Sequence, residues 1–139
     1  MTPDTLAHLH ARAFSQTRAW SAKEFADLLA APSTILLGDD RSFLLVRVVV
    51  DEAEILTIAT DPAYRRQRLA KTLLVAGEGA ASAAGATQMF LEVAEDNFAA
   101  KALYDAAGYK QVGRRPGYYV PKDKAGIAAL LLRKHLPGE

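Results

Sequence analysis

Apolar positions recur first at helical spacing and then, after Pro32, in short strand-like runs. Over residues 2–14, Leu6, Leu9, Ala13 and Phe14 fall on one helical face, and Pro3 suits a first turn. Ser21-Ala-Lys-Glu24 has the form of a capping box ahead of Phe25, Leu28 and Leu29, so a second helix starts there and stops near Pro32. Runs at 34–37, 42–50 and 54–60 predict an antiparallel meander, with turns at Gly38-Asp-Asp-Arg41 and Asp51-Glu52. An Ala-rich helix is predicted over 69–84. Gly77 and Gly79 weaken it but let it lie close to a sheet, and Gly85 suits its C-terminal cap. A buried strand at 88–93 precedes Asp96-Asn97, which offers an N-cap for a helix over 98–107 closed by Gly108. Residues 109–112 and 125–134 read as closing strands around a Gly- and Pro-bearing turn. The order ααβββαβαββ predicts an α/β fold with one mixed, mostly antiparallel central sheet, about four flanking helices, and a single domain over 1–139.

Composition narrows the class of function. Half of the 139 residues are apolar and the net charge is +1, so bulk attraction to nucleic acid or an acidic membrane is not expected. Cysteine is absent, which excludes disulfides and thiolate chemistry and agrees with a reducing cytoplasm. MTPDTLAHLH lacks the basic start and apolar run of a secretory leader, and no apolar stretch nears the ~20 residues of a membrane helix. A soluble cytoplasmic protein is expected. His8 and His10 form an H-x-H on a helix, where i and i+2 do not share a face, so no metal site is expected.

The chemistry gathers around DPAYRRQRLAKTLL, residues 61–74. A strand, Asp-Pro, a run of cations and a helix start together make an anion site. The first helical turn leaves N–H groups unpaired at the positive end of the macrodipole, a fit for phosphate. The alternative is a solvated face, but Arg65, Arg66, Arg68 and Lys71 would then oppose the dipole without gain.

Arg65-Arg-Gln-Arg68-Leu-Ala70 matches the first and last positions of the pattern Gln/Arg-x-x-Gly-x-Gly/Ala, with Arg68 where glycine is usual. Ile58-Ala-Thr-Asp-Pro62 stands before it and Leu91-Glu-Val93 and Asn97 after it. Ala102-Leu-Tyr-Asp-Ala-Ala-Gly-Tyr109, Arg114 to Tyr119 and Ala19-Trp-Ser-Ala-Lys-Glu-Phe25 complete the set. In this order the motifs resemble the GNAT superfamily of acetyl-CoA-dependent N-acetyltransferases, and within it the bacterial ribosomal-protein-alanine N-acetyltransferases.

That resemblance implies a GNAT-like fold with acetyl-CoA as co-substrate and no metal. It implies that Ile58, Ala59 and Thr60 lie beside the pantetheine arm, where an extended edge can pair with the arm's amides. Arg66, Gln67, Arg68, Leu69, Ala70 and Lys71 would surround the pyrophosphate, and Asn97 would bond the cofactor as well as cap its helix. Arg68 is expected to keep a negative φ and fold its guanidinium onto the phosphates. Glu92 would be the general base and Tyr104 the general acid.

The residues themselves say less. Glu92 interrupts an apolar run, so its carboxylate either faces solvent or has a purpose. An ordinary carboxylate is mismatched to an α-amine by about 3.5 pH units, so partial burial or a relaying water is expected. Tyr104, from its own helix, could equally be a packing tyrosine. The acceptor stays open: an N-terminal alanine of a ribosomal protein, a small-molecule amine or a lysine, or none in a non-catalytic module. A basic polypeptide end would call for nearby acids, with Glu52, Glu54, Glu95 and Asp96 as candidates. Tyr118 or Tyr119 could line the acceptor channel.

Overall fold

A computed structural model describes residues 1–13, 20–119 and 126–137, with the side chains of Tyr118 and Tyr119 outside the description. The order is α1 (Pro3–Ala13), α2 (Ala22–Ala30), β1 (Thr34–Gly38), β2 (Ser42–Val49), β3 (Glu52–Thr60), a 3₁₀ turn (Pro62–Tyr64), α3 (Leu69–Ala83), β4 (Gln88–Ala94), α4 (Phe98–Ala106), β5 (Lys110–Tyr119) and β6 (Ile127–His135). The strands form one sheet in the order β1-β2-β3-β4-β6-β5, antiparallel except for β3 beside β4. The α/β architecture expected from the pattern is therefore the one present. Phe14, at the expected end of the first helix, lies outside the described residues.

Local chemistry accounts for the boundaries. Ser21 accepts from the Glu24 N–H while Glu24 reaches back to the Ser21 N–H, the reciprocal capping box read from the sequence. The β2–β3 turn sits one residue earlier than expected, at Val50 and Asp51. Val50 takes φ 58°, ending β2 at Val49. The larger correction concerns β5, expected to stop at Val112. It continues to Tyr119 with register shifts at Gln111/Gly113 and Arg115/Tyr119, so Pro116 and Gly117 lie in an irregular edge strand rather than a turn. Proline is tolerated there because an edge strand with a bulge does not need its N–H, and Gly117 supplies the positive φ.

Two apolar clusters flank the sheet. On one face Leu44, Val46, Met89, Leu91, Val93, Leu130 and Leu132 pack with Leu74 of α3 and Tyr104 of α4. A Cβ at Gly77 would run into Leu44, so glycine sets how closely α3 approaches β2. On the other face Phe43, Leu45 and Ala59 pack with Leu6, Leu9 and Phe25 of α1 and α2. There α1 lies on β3 and α2 on β1, while Phe90, Glu92, Leu131 and Arg115 of β4, β6 and β5 keep solvent exposure.

Candidate active site

Strands β3 and β4 are parallel neighbours, but they pair only through Glu52↔Gln88, Ala53↔Met89 and Glu54↔Phe90. Beyond those pairs residues 55–60 and 91–94 part, opening a cleft toward the carboxyl ends of both strands. That is the end where ligands bind in sheets of this kind. The β3 edge facing the cleft has no strand partner among the described residues, so its N–H and C=O groups can pair with an extended amide-bearing ligand. Ile58 packs toward α3, Ala59 is buried toward α1 and α2, and the Thr60 hydroxyl shares a 2.8 Å hydrogen bond with Ser42.

The loop from β3 to α3 has the geometry that suits an anion. Asp61, nearly buried, accepts the Ala63 N–H at 2.9 Å and meets Arg12 of α1 at 3.1 Å, which anchors the loop's start. Arg66 and Arg68 take φ 66° and 60°, and Gln67 between them does not. Alternating hand of this kind turns successive N–H groups into a concave nest. Arg68 is the N-cap of α3 without a side-chain cap bond, and the first bond of the helix runs from the Thr72 N–H to the Arg68 carbonyl. The N–H groups of Leu69, Ala70 and Lys71 are left pointing out of the helix start. Arg65, Arg66, Arg68 and Lys71 are exposed, with no carboxylate partner among the described residues. The expected negative φ at Arg68 is thus overturned. Arginine takes the left-handed conformation glycine would take, at a cost of roughly 1–2 kcal/mol, because the chain must turn there to aim the helix start.

Asn97 begins α4 at the end of β4. Its Oδ1 accepts the Ala100 N–H at 3.2 Å, which leaves the amide N–H₂ free to donate outward. Tyr104, two turns further along α4, is 4% exposed and meets Tyr109 edge-on at 5.6 Å. Burial pushes its phenol above the ordinary range, so it stays protonated at neutral pH. Its hydroxyl makes no hydrogen bond within the described residues and is not sealed from solvent. Behind it, the Tyr109 hydroxyl donates to Glu78 at 2.9 Å and Lys134 donates to the same carboxylate at 2.8 Å, tying α3 to β6.

Glu92 lies on the opposite face of β4. Side chains alternate along a strand, so Leu91 and Val93 enter the core beside Tyr104 while Glu92 and Phe90 face the other way. There Glu92 lines a cavity of about 350 Å³ with Arg47, Glu52, Glu54, Phe90 and Arg115. Its carboxylate meets Arg115 at 3.3 Å and keeps 26% of its side-chain exposure, and Arg47 bonds Glu54 at 2.7 Å. Of the four acids proposed near an acceptor, Glu52 and Glu54 line this groove. Glu95 is held by Arg114 at 2.7 and 3.1 Å, below its usual carboxylate range, and Asp96 is exposed.

The structure therefore brings residues 58–60, 66–71 and Asn97 to the carboxyl ends of two adjacent strands, with Glu92 and Tyr104 on opposite sides of the second. Residues 35–109 match the acetyltransferase (GNAT) family. The chain belongs to this family. The [Ribosomal protein bS18]-alanine N-acetyltransferase of Escherichia coli K12 is 32% identical over 126 residues, covering 88% of this chain and 85% of that one. The crystal structure of the Escherichia coli ribosomal-protein-S18-alanine N-acetyltransferase superposes with TM-score 0.87 at 28% identity, over 99% of this chain and 89% of that one. Arabidopsis thaliana NAA60 in complex with acetyl-CoA shares the fold at TM-score 0.80 and 17% identity, over 99% and 97% of the two chains.

For a GNAT N-acetyltransferase the acyl donor is acetyl-CoA, and the residues here suit it. The nest and free helix start fit a pyrophosphate, and the bare β3 edge fits an arm with amides. Reading the sequence alone missed Arg47, Phe90 and the Arg12–Asp61 anchor. Arg12 and Asp61 are distant in sequence, and nothing in either motif announces the pair. The side chains of Tyr118 and Tyr119, suggested for the acceptor channel, lie outside the described residues. Among the described residues no group of His, Cys, Asp and Glu is arranged to hold a metal ion, and no helix is long and apolar enough to cross a membrane.

Proposed function

We propose that this GNAT enzyme acetylates the N-terminal α-amine of a polypeptide beginning with alanine, a ribosomal protein of the small subunit in the cytoplasm, with Glu92 as general base and Tyr104 as general acid. The observation that carries the reading is the position of these two side chains on opposite faces of β4, beside the cleft that opens where β3 and β4 part. A donor entering from the α3–α4 side and an acceptor from the open face would meet there. The Escherichia coli relative's name supplies the acceptor, and its similarity along 88% of the chain supports carrying it over.

When bound, acetyl-CoA supplies an activated thioester. The chain's own residues do the rest. The nest at 66–68, the N–H groups of 69–71 and the amide of Asn97 hold the donor's polar end, and the β3 edge at 58–60 aligns its arm. Glu92 takes a proton, directly or through a water, from an α-ammonium of pKa ~7.7–8.0, most of which is protonated at neutral pH. Tyr104 donates its proton, or a strong hydrogen bond, to the departing sulfur. Glu52 and Glu54 give the groove an acidic rim that suits a cationic polypeptide end.

The test offers acetyl-CoA with three acceptors: a peptide with a free N-terminal alanine, the same peptide blocked at its α-amine but carrying lysine, and a small primary amine. Acetylation of the free α-amine, located by mass spectrometry, is expected. Turnover restricted to lysine or the small amine would overturn the acceptor.

A further inference from the structure

Strands β5 and β6 pair Gln111 with Leu132 but Gly113 with Leu131, so β5 carries one extra residue, Val112, at that step. A one-residue insertion sends every later side chain of the strand to the other face. Without it Arg115 would stand opposite Ala128 and point to the α3–α4 side. With it Arg115 stands opposite Ala129, and Arg114 opposite Leu130. Leu130 belongs to the core on the helix side, so Arg114 turns that way and takes Glu95, while Arg115 turns to the open face and takes Glu92. The register of β4 on β6 sets Glu92 against Leu131 and Ala94 against Ala129. Arg115 therefore reaches back across β6 to arrive at 3.3 Å from Glu92.

We propose that Arg115 is a positioning residue for acetyl transfer, fixing the Glu92 carboxylate at the open mouth of the cleft where the acceptor's ammonium arrives. The extra residue in β5 is what delivers Arg115 to that face. The proposal rests on Glu92 being the base. Other charges act on the same carboxylate: Arg47 of β2 and Glu52 and Glu54 of β3 line its groove, and register puts Arg133 of β6 and Lys110 of β5 on the same face. Among these described cations, Arg115 alone forms an ion pair with Glu92. An exposed ion pair of this kind contributes little to stability, so its effect is to be sought in the rate.

The experiment compares wild type, Arg115→Gln, Arg115→Lys and Glu92→Gln on the alanine peptide, following CoA release from pH 5.5 to 9, with acetyl-CoA thermal shift as the folding control. Removing the cation leaves the carboxylate without its tether, so kcat should fall while KM for acetyl-CoA holds. In Arg115→Gln a fall in kcat of roughly tenfold with little change in KM for acetyl-CoA is expected. Arg115→Lys should restore most of the rate, and all variants should bind acetyl-CoA as wild type does. Wild-type kcat in Arg115→Gln beside an impaired Glu92→Gln would overturn the role of Arg115 and leave Glu92 as base. Full activity in Glu92→Gln, or none in wild type, would remove the underlying reading and this role with it.

Discussion

The cleft is bounded by two strand-to-helix limbs that begin alike and end differently. In the first, β3 leads through a long basic loop to α3, whose start has no side-chain cap and two left-handed arginines nearby. In the second, β4 leads by a short turn to α4, and Asn97 caps that helix with its own side chain. The β4 limb satisfies its own helix start, while the β3 limb leaves N–H groups and four cations without partners among the described residues. A helix start left bare at a local conformational cost is arranged for something that supplies the missing acceptors. The capped limb instead carries Glu92 and Tyr104. On the proposed reading, one limb holds the donor and the other moves protons.

That division is broken most directly at Glu92. Glu92→Gln keeps shape and hydrogen bonding but cannot take a proton, and should lower kcat by about 10²–10⁴-fold. The thermal shift produced by acetyl-CoA should stay within error of wild type. Loss of donor binding in this variant would mean that the two limbs are not separable. Tyr104→Phe comes next, with an expected fall in kcat of roughly tenfold to a hundredfold and little change in KM for acetyl-CoA.

Tyr104 also sharpens the contrast through pH. Burial raises the phenols of Tyr104 and Tyr109, the latter also through Glu78. A raised folded pKa gives stability that is complete below the unfolded value near 10 and is lost as pH rises above it, because only the unfolded chain can ionise easily. Thermal midpoints should therefore fall between about pH 10 and 12, and the fall should be shallower in a Tyr104→Phe/Tyr109→Phe double variant. An unchanged slope would mean these phenols are less enclosed than the packing implies.

Much of this was legible in the sequence because it is local. The capping box at Ser21 and Glu24, the cap at Asn97 and the cations before Leu69 depend on residues within a few positions of one another. So does the alternation that aims Glu92 away from Leu91 and Val93. What was not legible depends on partners far along the chain. The run of β5 beyond Val112 is sustained by β6, and neither Pro116 nor Gly117 advertises a strand. The side to which Arg114 and Arg115 point depends on a single extra residue, which hydrophobic pattern does not reveal. The handedness of Arg68 is not legible for a related reason: side-chain sterics favour negative φ locally, and the geometry of entry into α3 overrides them.

Arg68 provides the smallest and most discriminating test of the donor limb. Arg68→Gly removes a cation but keeps, or relaxes, the left-handed backbone. Relief of the left-handed conformation is worth roughly 1–2 kcal/mol, and the greater freedom of glycine in the unfolded chain offsets about 0.4–1 kcal/mol of it. A net gain between zero and about 1.5 kcal/mol in stability is expected, read from urea unfolding. If the backbone nest carries recognition, acetyl-CoA affinity should change by less than about fivefold, and binding should depend less steeply on salt because one screened charge is gone. A loss well above tenfold would instead assign the phosphate contact to the guanidinium. Arginine at this position would then be a cation that the loop accepts strain to present, rather than a residue standing where glycine serves equally well.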